Sequence, residues 1–295
     1  MTDAMMKKAA SADGFIAALD QSGGSTPKAL TAYGVPTDSY VVGEVSMYDK
    51  VHEMRSRIIT SASFTGEKVL GAILFENTMD RTIEGKPTAK YLWEEKGIVP
   101  FLKCDSGLAA EVDGVQLMKP MPELDALLSK GVENGVFGTK MRSLINSANP
   151  AGIKAIVEQQ FEVALQIIGH GLCPIIEPEV NIKSSDKEAS EEILKKEILE
   201  QLNALDDDKK VMLKLSLPSV DNIYKELVDH PKVVRVVALS GGYSRDNANA
   251  ILSCQTGMIA SFSRALLDGV AFAQTQDEFD ATLKATIDCI AEASK

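Results

Sequence analysis

The chain has 295 residues, 45% hydrophobic and 25% charged, a balance that excludes disorder as its main state. No run approaches the ~20 apolar residues a bilayer-spanning helix needs, and Met1–Lys8 leads into no apolar stretch, so neither a membrane span nor a secretory signal is expected. Thirty-one Lys and Arg against forty-two Asp and Glu leave a net charge of −11, which repels nucleic acid and anionic membrane and makes any cluster of cations informative.

In chain order, eight short apolar or β-branched runs read as strands: Phe15–Leu19, Val69–Phe75, Val99–Cys104, Val136–Thr139, Cys173–Ile176, Val211–Leu215, Val233–Leu239 and Gly257–Phe262. Helix-period stretches follow most of them, at Met47–Ser61, Pro122–Gly131, Pro150–Gly169, Glu188–Leu205, Ser219–Asp229, Ser244–Leu252 and Asp277–Ala293. Asn149-Pro150 supplies an N-cap and a first-turn proline, and Gly169 or Gly171 closes that helix. Strand–helix alternation eight times over predicts an α/β fold, a single (β/α)8 TIM barrel occupying 1–295 as one catalytic domain. A doubly wound open sheet is the alternative, but the Gly-x-Gly-x-x-Gly it normally carries after its first strand is absent. No Pro/Gly/Ser-rich linker divides the chain, and the charged stretch Lys183–Lys196 reads as a loop running into a solvated helix.

Cys104, Cys173, Cys254 and Cys289 form no Cys-x-x-Cys pair, and three lie in or beside apolar runs, as reduced buried thiols of a cytoplasmic enzyme would. His52, His170 and His230 are too scattered for a metal-binding spacing and read as surface or helix-end residues, so no metal site is expected.

In a TIM barrel the chemistry lies at the C-terminal strand ends. The first run finishes at Asp20, leading into Gln21-Ser22-Gly23-Gly24-Ser25. The third carries Lys103 and Asp105, the fourth Lys140 and Arg142, the fifth Glu177 and Glu179, and the sixth Lys214. The seventh ends in Ser240-Gly241-Gly242 and the eighth in Ser261-Phe262-Ser263-Arg264. Ions embedded in apolar runs are costly unless they share a polar cavity. Either these are barrel-interior ion pairs without chemistry, or they form one site.

Lys214 is the sharpest case. An apolar setting and a neighbouring cation such as Lys140 both disfavour its ammonium form and free the lone pair for attack on a carbonyl. The alternative is a strand lysine whose stem packs while its head reaches water. Ser240-Gly241-Gly242 with Arg264 makes a phosphate clamp near the last two strands, and Ser22-Gly23-Gly24-Ser25-Thr26 offers a second, although either loop could be a plain turn. Two anion sites flanking a lysine point to a substrate with two phosphates.

These segments, in this order along essentially the whole chain, resemble class I fructose-bisphosphate aldolase in its shorter bacterial-type branch. Leu19-Asp20-Gln21-Ser22-Gly23-Gly24-Ser25 is similar to the family's first-strand segment, and Gly71–Thr78, Val99–Asp105 and Lys140-Met141-Arg142 match its next three strands. Pro174–Glu179 and Leu239–Gly242 are close to further signatures, and Leu213-Lys214 falls where the family carries its Schiff-base lysine. The resemblance implies that Lys214 forms an imine with the substrate ketone, and that Glu177 shuttles protons during dehydration of the carbinolamine. It also implies that Lys140 lowers the lysine's pKa and orders the site, that Asp20 takes the proton from the hydroxyl beside the scissile bond, and that Glu179 joins the lysine–glutamate network. By the same resemblance Ser240, Gly241 and Arg264 hold one phosphate, Ser22, Ser25 and Lys103 lie near the other, and Arg142, Gly242 and Ser261 line the substrate cavity.

The implied reaction is metal-independent, cofactor-free cleavage of fructose 1,6-bisphosphate into two triose phosphates, with small phosphosugars as substrates, no contact to nucleic acid or membrane, and an oligomeric state the sequence does not reveal. Two departures stand out: no tyrosine follows Tyr243, whereas longer members end in one, and Ser263 replaces a glycine common among relatives. Competing readings are a tagatose 1,6-bisphosphate aldolase, a phosphosugar-binding barrel without turnover, an isomerase needing no imine lysine, and a metal-dependent aldolase needing histidine ligands.

Overall fold

The computed structural model describes residues 2–295. Eight parallel strands run in chain order around a barrel: β1 Phe15–Leu19, β2 Val69–Leu74, β3 Val99–Lys103, β4 Gly138–Ile145, β5 Cys173–Val180, β6 Val211–Ser216, β7 Val233–Leu239 and β8 Met258–Ala260. Each is paired to the next, and the seam between β8 and β1 is drawn together by the Ala18 N–H donating to the Phe262 carbonyl at 3.1 Å. The predicted TIM barrel is the observed fold.

Period-2 alternation divides every strand into an inward and an outward set. Ile16, Ala18, Phe101, Ile175, Met212 and Val237 meet inside the barrel as one apolar cluster. Phe15, Leu19, Leu102, Ile176, Leu213 and Ala238 belong to the larger cluster between sheet and helices. Continuing the inward set toward the C-terminal ends reaches Asp20, Lys103, Lys140, Glu177 and Lys214, so one alternation gives an apolar lower layer and a charged upper one.

The lower end is plugged. Helix Asp3–Ser11 begins with Thr2 Oγ1 accepting from the Met5 N–H, and its Met5 and Ala9 join the inner apolar cluster. Arg235 donates to the Ala9 and Ala12 carbonyls at 3.2 and 2.9 Å, and Lys8 to the Gly66 carbonyl at 2.7 Å.

Several boundaries differ from the sequence expectations. β4 and β5 run four residues or more further than predicted, because they pair with each other as far as Ile145 and Val180, and Lys140, Arg142, Glu177 and Glu179 therefore stand on rigid strand rather than in loops. The Ser219–Asp229 stretch is helical only over Lys225–Val228. Asn222 interrupts it in a left-handed conformation, φ +60°, where its side-chain oxygen accepts from the Thr256 N–H at 2.7 Å. Helices Asp3–Ser11, Ser25–Tyr33 and Thr88–Glu94 are additional. Of the cysteines only Cys104 and Cys173 are buried; Cys254 is exposed and Cys289 half-buried. His52 is a half-buried mid-helix residue whose Nε2 lies 2.9 Å from the Thr82 carbonyl, rather than a helix-end one.

At Gly138 the start of β4 passes so close to β5 that a Cβ would stand 2.2 Å from the Cys173 carbonyl oxygen and 3.1 Å from Phe101. Backbone cannot yield as a side chain can. Gly138→Ala is expected to destabilise the barrel by about 2–3 kcal/mol, read as a lowered urea midpoint at unchanged slope.

Candidate active site

Four charges, three on strands β4, β5 and β6 and one just past the end of β1, converge at the upper end of the barrel. Lys140 Nζ lies 2.6 Å from Asp20 Oδ2 and 3.1 Å from Glu177 Oε2, and the other Glu177 oxygen lies 3.0 Å from Lys214 Nζ. All four side chains are buried, with none above 9% exposed. Signs alternate along the chain Asp20–Lys140–Glu177–Lys214, so each ion faces opposite charge, as ions removed from water require.

The electrostatics follow. Burial raises the Asp20 pKa, but Lys140, aided by Lys214 and Lys103, outweighs it and brings the carboxyl down to about 2. Burial likewise works against the Lys140 ammonium, and the Asp20 and Glu177 carboxylates overcome it and hold its pKa above the usual lysine value. At neutral pH Asp20 is a carboxylate and Lys140 an ammonium. Beside them burial pushes the Cys104 thiol up to about 12, which leaves it protonated and inert.

The backbone opens where these groups stand. β5 and β6 are paired at Ile175–Met212 and Ile176–Leu213, and the ladder stops there, one residue before Glu177 and Lys214. The Glu177 N–H donates to Oε1 of the wholly buried Gln160, on helix Pro150–Gly169, at 2.9 Å. Further up, Ser216 rejoins the strands: its hydroxyl accepts from the Val180 N–H at 2.9 Å and donates to the Val180 carbonyl at 2.7 Å. The divergence gives the two side chains room to reach one another.

Around this centre the remaining predicted residues divide into groups. Lys103 donates to the Asp105 carboxylate and carbonyl at 2.8 and 2.7 Å, and no hydrogen bond joins it to Ser22 or Ser25 among the described residues. Arg142 Nε pairs with Glu179 at 2.6 Å, so Glu179 is held by the arginine and not by either lysine. Ser25 and Ser22 bond to each other, the Ser25 hydroxyl donating to the Ser22 carbonyl at 2.7 Å. Gly241 and Gly242 both take positive φ, +60° and +118°, and the Arg264 guanidinium lies 3.5 Å from where a Gly242 Cβ would stand, so the seventh and eighth strand loops meet as expected. Ser261 is buried and its hydroxyl has no partner among the described residues.

Sequence reasoning missed Arg55, although a cation between Met54 and Ile58 on the apolar stripe of helix Val45–Thr60 was a readable signal. Arg55 is wholly buried and donates to Thr78 Oγ1 at 2.5 Å and to the Gln21 carbonyl at 2.6 Å. Burial lowers its pKa to about 10, against the pull of the Asp20 carboxylate, so it stays charged at neutral pH.

Known proteins share this chain's sequence along its whole length. Residues 9–223 match the glycolytic family described as fructose-bisphosphate aldolase class-I. A "fructose-bisphosphate aldolase class 1" from Clostridium acetobutylicum is 58% identical over 294 residues, covering 100% of this chain and 99% of that one. Proteins of the same name from Synechocystis and Porphyromonas gingivalis are 57% and 54% identical, over 98% and 100% of this chain and 96% and 99% of their own lengths. The chain belongs to the class I fructose-bisphosphate aldolase family. Among solved structures, a fructose-bisphosphate aldolase from Plasmodium falciparum superposes with a TM-score of 0.73 at 18% identity, covering 98% of this chain and 92% of that one, a likeness of fold. The resemblance drawn from the strand-end motifs is thus the family the chain belongs to.

The depressed Asp20 pKa makes a pH-dependent contribution to this aldolase-family barrel. A carboxyl at about 2 when folded and ~4 when unfolded stabilises fully above pH ~4, and the contribution fades as pH falls toward 2. Asp20→Asn should therefore be less stable than the parent by about 2 kcal/mol near pH 6, with the gap in urea midpoint narrowing below pH 4. A gap independent of pH would contradict the assignment.

Proposed function

We propose that this chain reversibly cleaves fructose 1,6-bisphosphate to dihydroxyacetone phosphate and glyceraldehyde 3-phosphate through a Schiff base on Lys214, acting in the cytoplasm on small phosphosugars. The observation that carries this reading is one carboxylate, Glu177, held within 3.1 Å of two buried lysines. Imine chemistry needs such an arrangement. One nitrogen attacks, a second cation stays charged, and the carboxylate between them moves protons.

Lys214 passes a proton to Glu177, 3.0 Å away, and its Nζ adds to the substrate ketone carbon; the adduct nitrogen gives a second proton to the alkoxide, and Glu177 returns the first to the carbinolamine oxygen, which leaves as water. The resulting protonated imine withdraws electrons. When the carbon–carbon bond breaks, its electron pair enters the imine to give an enamine, and the adjoining hydroxyl becomes the aldehyde as Asp20 takes its proton. A carboxylate near pKa 2 is too weak a base to ionise an alcohol beforehand, so proton transfer accompanies bond cleavage. Protonation of the enamine and hydrolysis of the imine release the second triose phosphate and restore Lys214. Lys140, fixed as an ammonium between Asp20 and Glu177, keeps both side chains in position and Asp20 ionised.

One phosphate is assigned to Ser240, Gly241 and Arg264, with the Ser261 hydroxyl and Gly242 beside it. The other is assigned to Ser22, Ser25 and Lys103. Lys103 must then turn from Asp105 toward the substrate, and Arg142 and Glu179 form the cavity wall between.

Borohydride reduction in the presence of dihydroxyacetone phosphate should leave one triose-phosphate adduct, on the peptide carrying Lys214, and Lys214→Met should leave none. An unmodified Lys214 with intact turnover would overturn the Schiff-base reading. Glu177→Gln should lower kcat by about 10²–10⁴-fold in stopped assays while the fold is kept. Because the imine accepts the electron pair, EDTA should leave the rate unchanged.

A further inference from the structure

The seam between β1 and β8 carries a side-chain linkage that the reaction scheme does not use. Its last backbone rung is the Ala18 N–H to the Phe262 carbonyl. One step further, the Gln21 side-chain amide donates to Ser263 Oγ at 2.5 Å, continuing the seam where the ladder has ended. Gln21 is held from behind by Arg55, whose Nη2 donates both to its backbone carbonyl at 2.6 Å and to its side-chain oxygen at 3.2 Å. Among the described residues no carboxylate is in ion-pair contact with the buried Arg55, an expensive placement for a guanidinium used only to pack a loop.

The two linked residues each adjoin a different phosphate group. Gln21 directly precedes Ser22 and the loop to Ser25, while Ser263 directly precedes Arg264. Ser263 heads the short helix Arg264–Leu267 without capping it, so its hydroxyl is free of the usual local duty. The bond therefore ties the loop that grips one end of the substrate to the loop that grips the other.

We propose that Gln21 and Ser263, with Arg55 as the positioning residue behind them, set the separation of the two phosphate-binding loops and thereby the preference for a ketose phosphorylated at both ends over one phosphorylated at a single end. This rests on the assignment of the two phosphates above. A monophosphate engages one loop and is indifferent to the spacing. A bisphosphate must bridge both, and a loosened seam makes it order the loops on binding.

The test compares kcat/KM for fructose 1,6-bisphosphate and fructose 1-phosphate in the parent, Ser263→Ala, Gln21→Ala and the double variant. The ratio of the two constants should fall about three- to tenfold in each single variant, the scale of one hydrogen bond. The double variant should fall no further, and Ser263→Thr, which keeps the hydroxyl, should restore the parent ratio. Equal losses on both substrates, no loss on either, or additive losses in the double variant would overturn the proposal. Borohydride trapping of dihydroxyacetone phosphate on Lys214 separates the two levels of the argument. Adducts in the parent and variants alike leave the ratio to decide on the seam, whereas no adduct in the parent would remove the site assignment on which the inference stands.

Discussion

A single glutamate side chain shared by two buried lysines is the interaction on which the upper half of this barrel depends. Removing an ion from water costs several kcal/mol, and four of them are removed here within contact distance of one another. Only an alternating order makes that tolerable, because each charge then serves as the counter-ion of the next. Glu177 is the inner link, and its two oxygens face different lysines. Replacing it would leave Lys214 without its carboxylate and Lys140 with Asp20 alone.

Precision in that placement comes from the sheet. β4 and β5 are paired along their full observed length, so Lys140 and Glu177 stand on adjoining rigid strands. β5 and β6 are paired for two residues and then part, with Gln160 satisfying the backbone on one side and Ser216 rejoining it above. The next ring outward repeats the principle, Lys103 with Asp105 and Arg142 with Glu179. On the proposed assignment of the phosphates, a protein of net charge −11 thus prepares a site for a doubly phosphorylated sugar without a large bare positive patch, since its cations are held by carboxylates until an anion competes for them.

The eight strands and the central charges are legible in the sequence for the same reason: a lysine or glutamate inside a run of β-branched and apolar residues conflicts with its surroundings, and the conflict marks both strand and site. The ends of β4 and β5 were hidden because alternating charged residues there look like loop, and pairing between the two strands overrides the local pattern. Gln21, Gln160 and Ser216 were invisible for a different reason. Neutral polar residues contrast little with their neighbours, and their importance lies in partners far away in sequence, as with Gln21 and Ser263. Arg55 was readable in principle, being a cation on the apolar face of its helix, but nothing local reveals that it reaches the first strand's loop. The resemblance to known aldolases supplied roles for residues, which the pattern of charge alone could not.

The plug formed by helix Asp3–Ser11 has a consequence for the order of events. With Met5 and Ala9 packed beneath the inner apolar layer, the barrel is filled below its charged end and opens only at the mouth. Whatever enters by the mouth leaves by it. On the proposed reading one fragment stays bonded to Lys214 after cleavage while the other is free beside the mouth, so the unattached aldehyde departs first, and the tethered fragment follows only after water has reached the imine. In the synthetic direction the same tether makes the ketone the first to load. A sealed floor therefore adds a single doorway to an order that the covalent tether already sets.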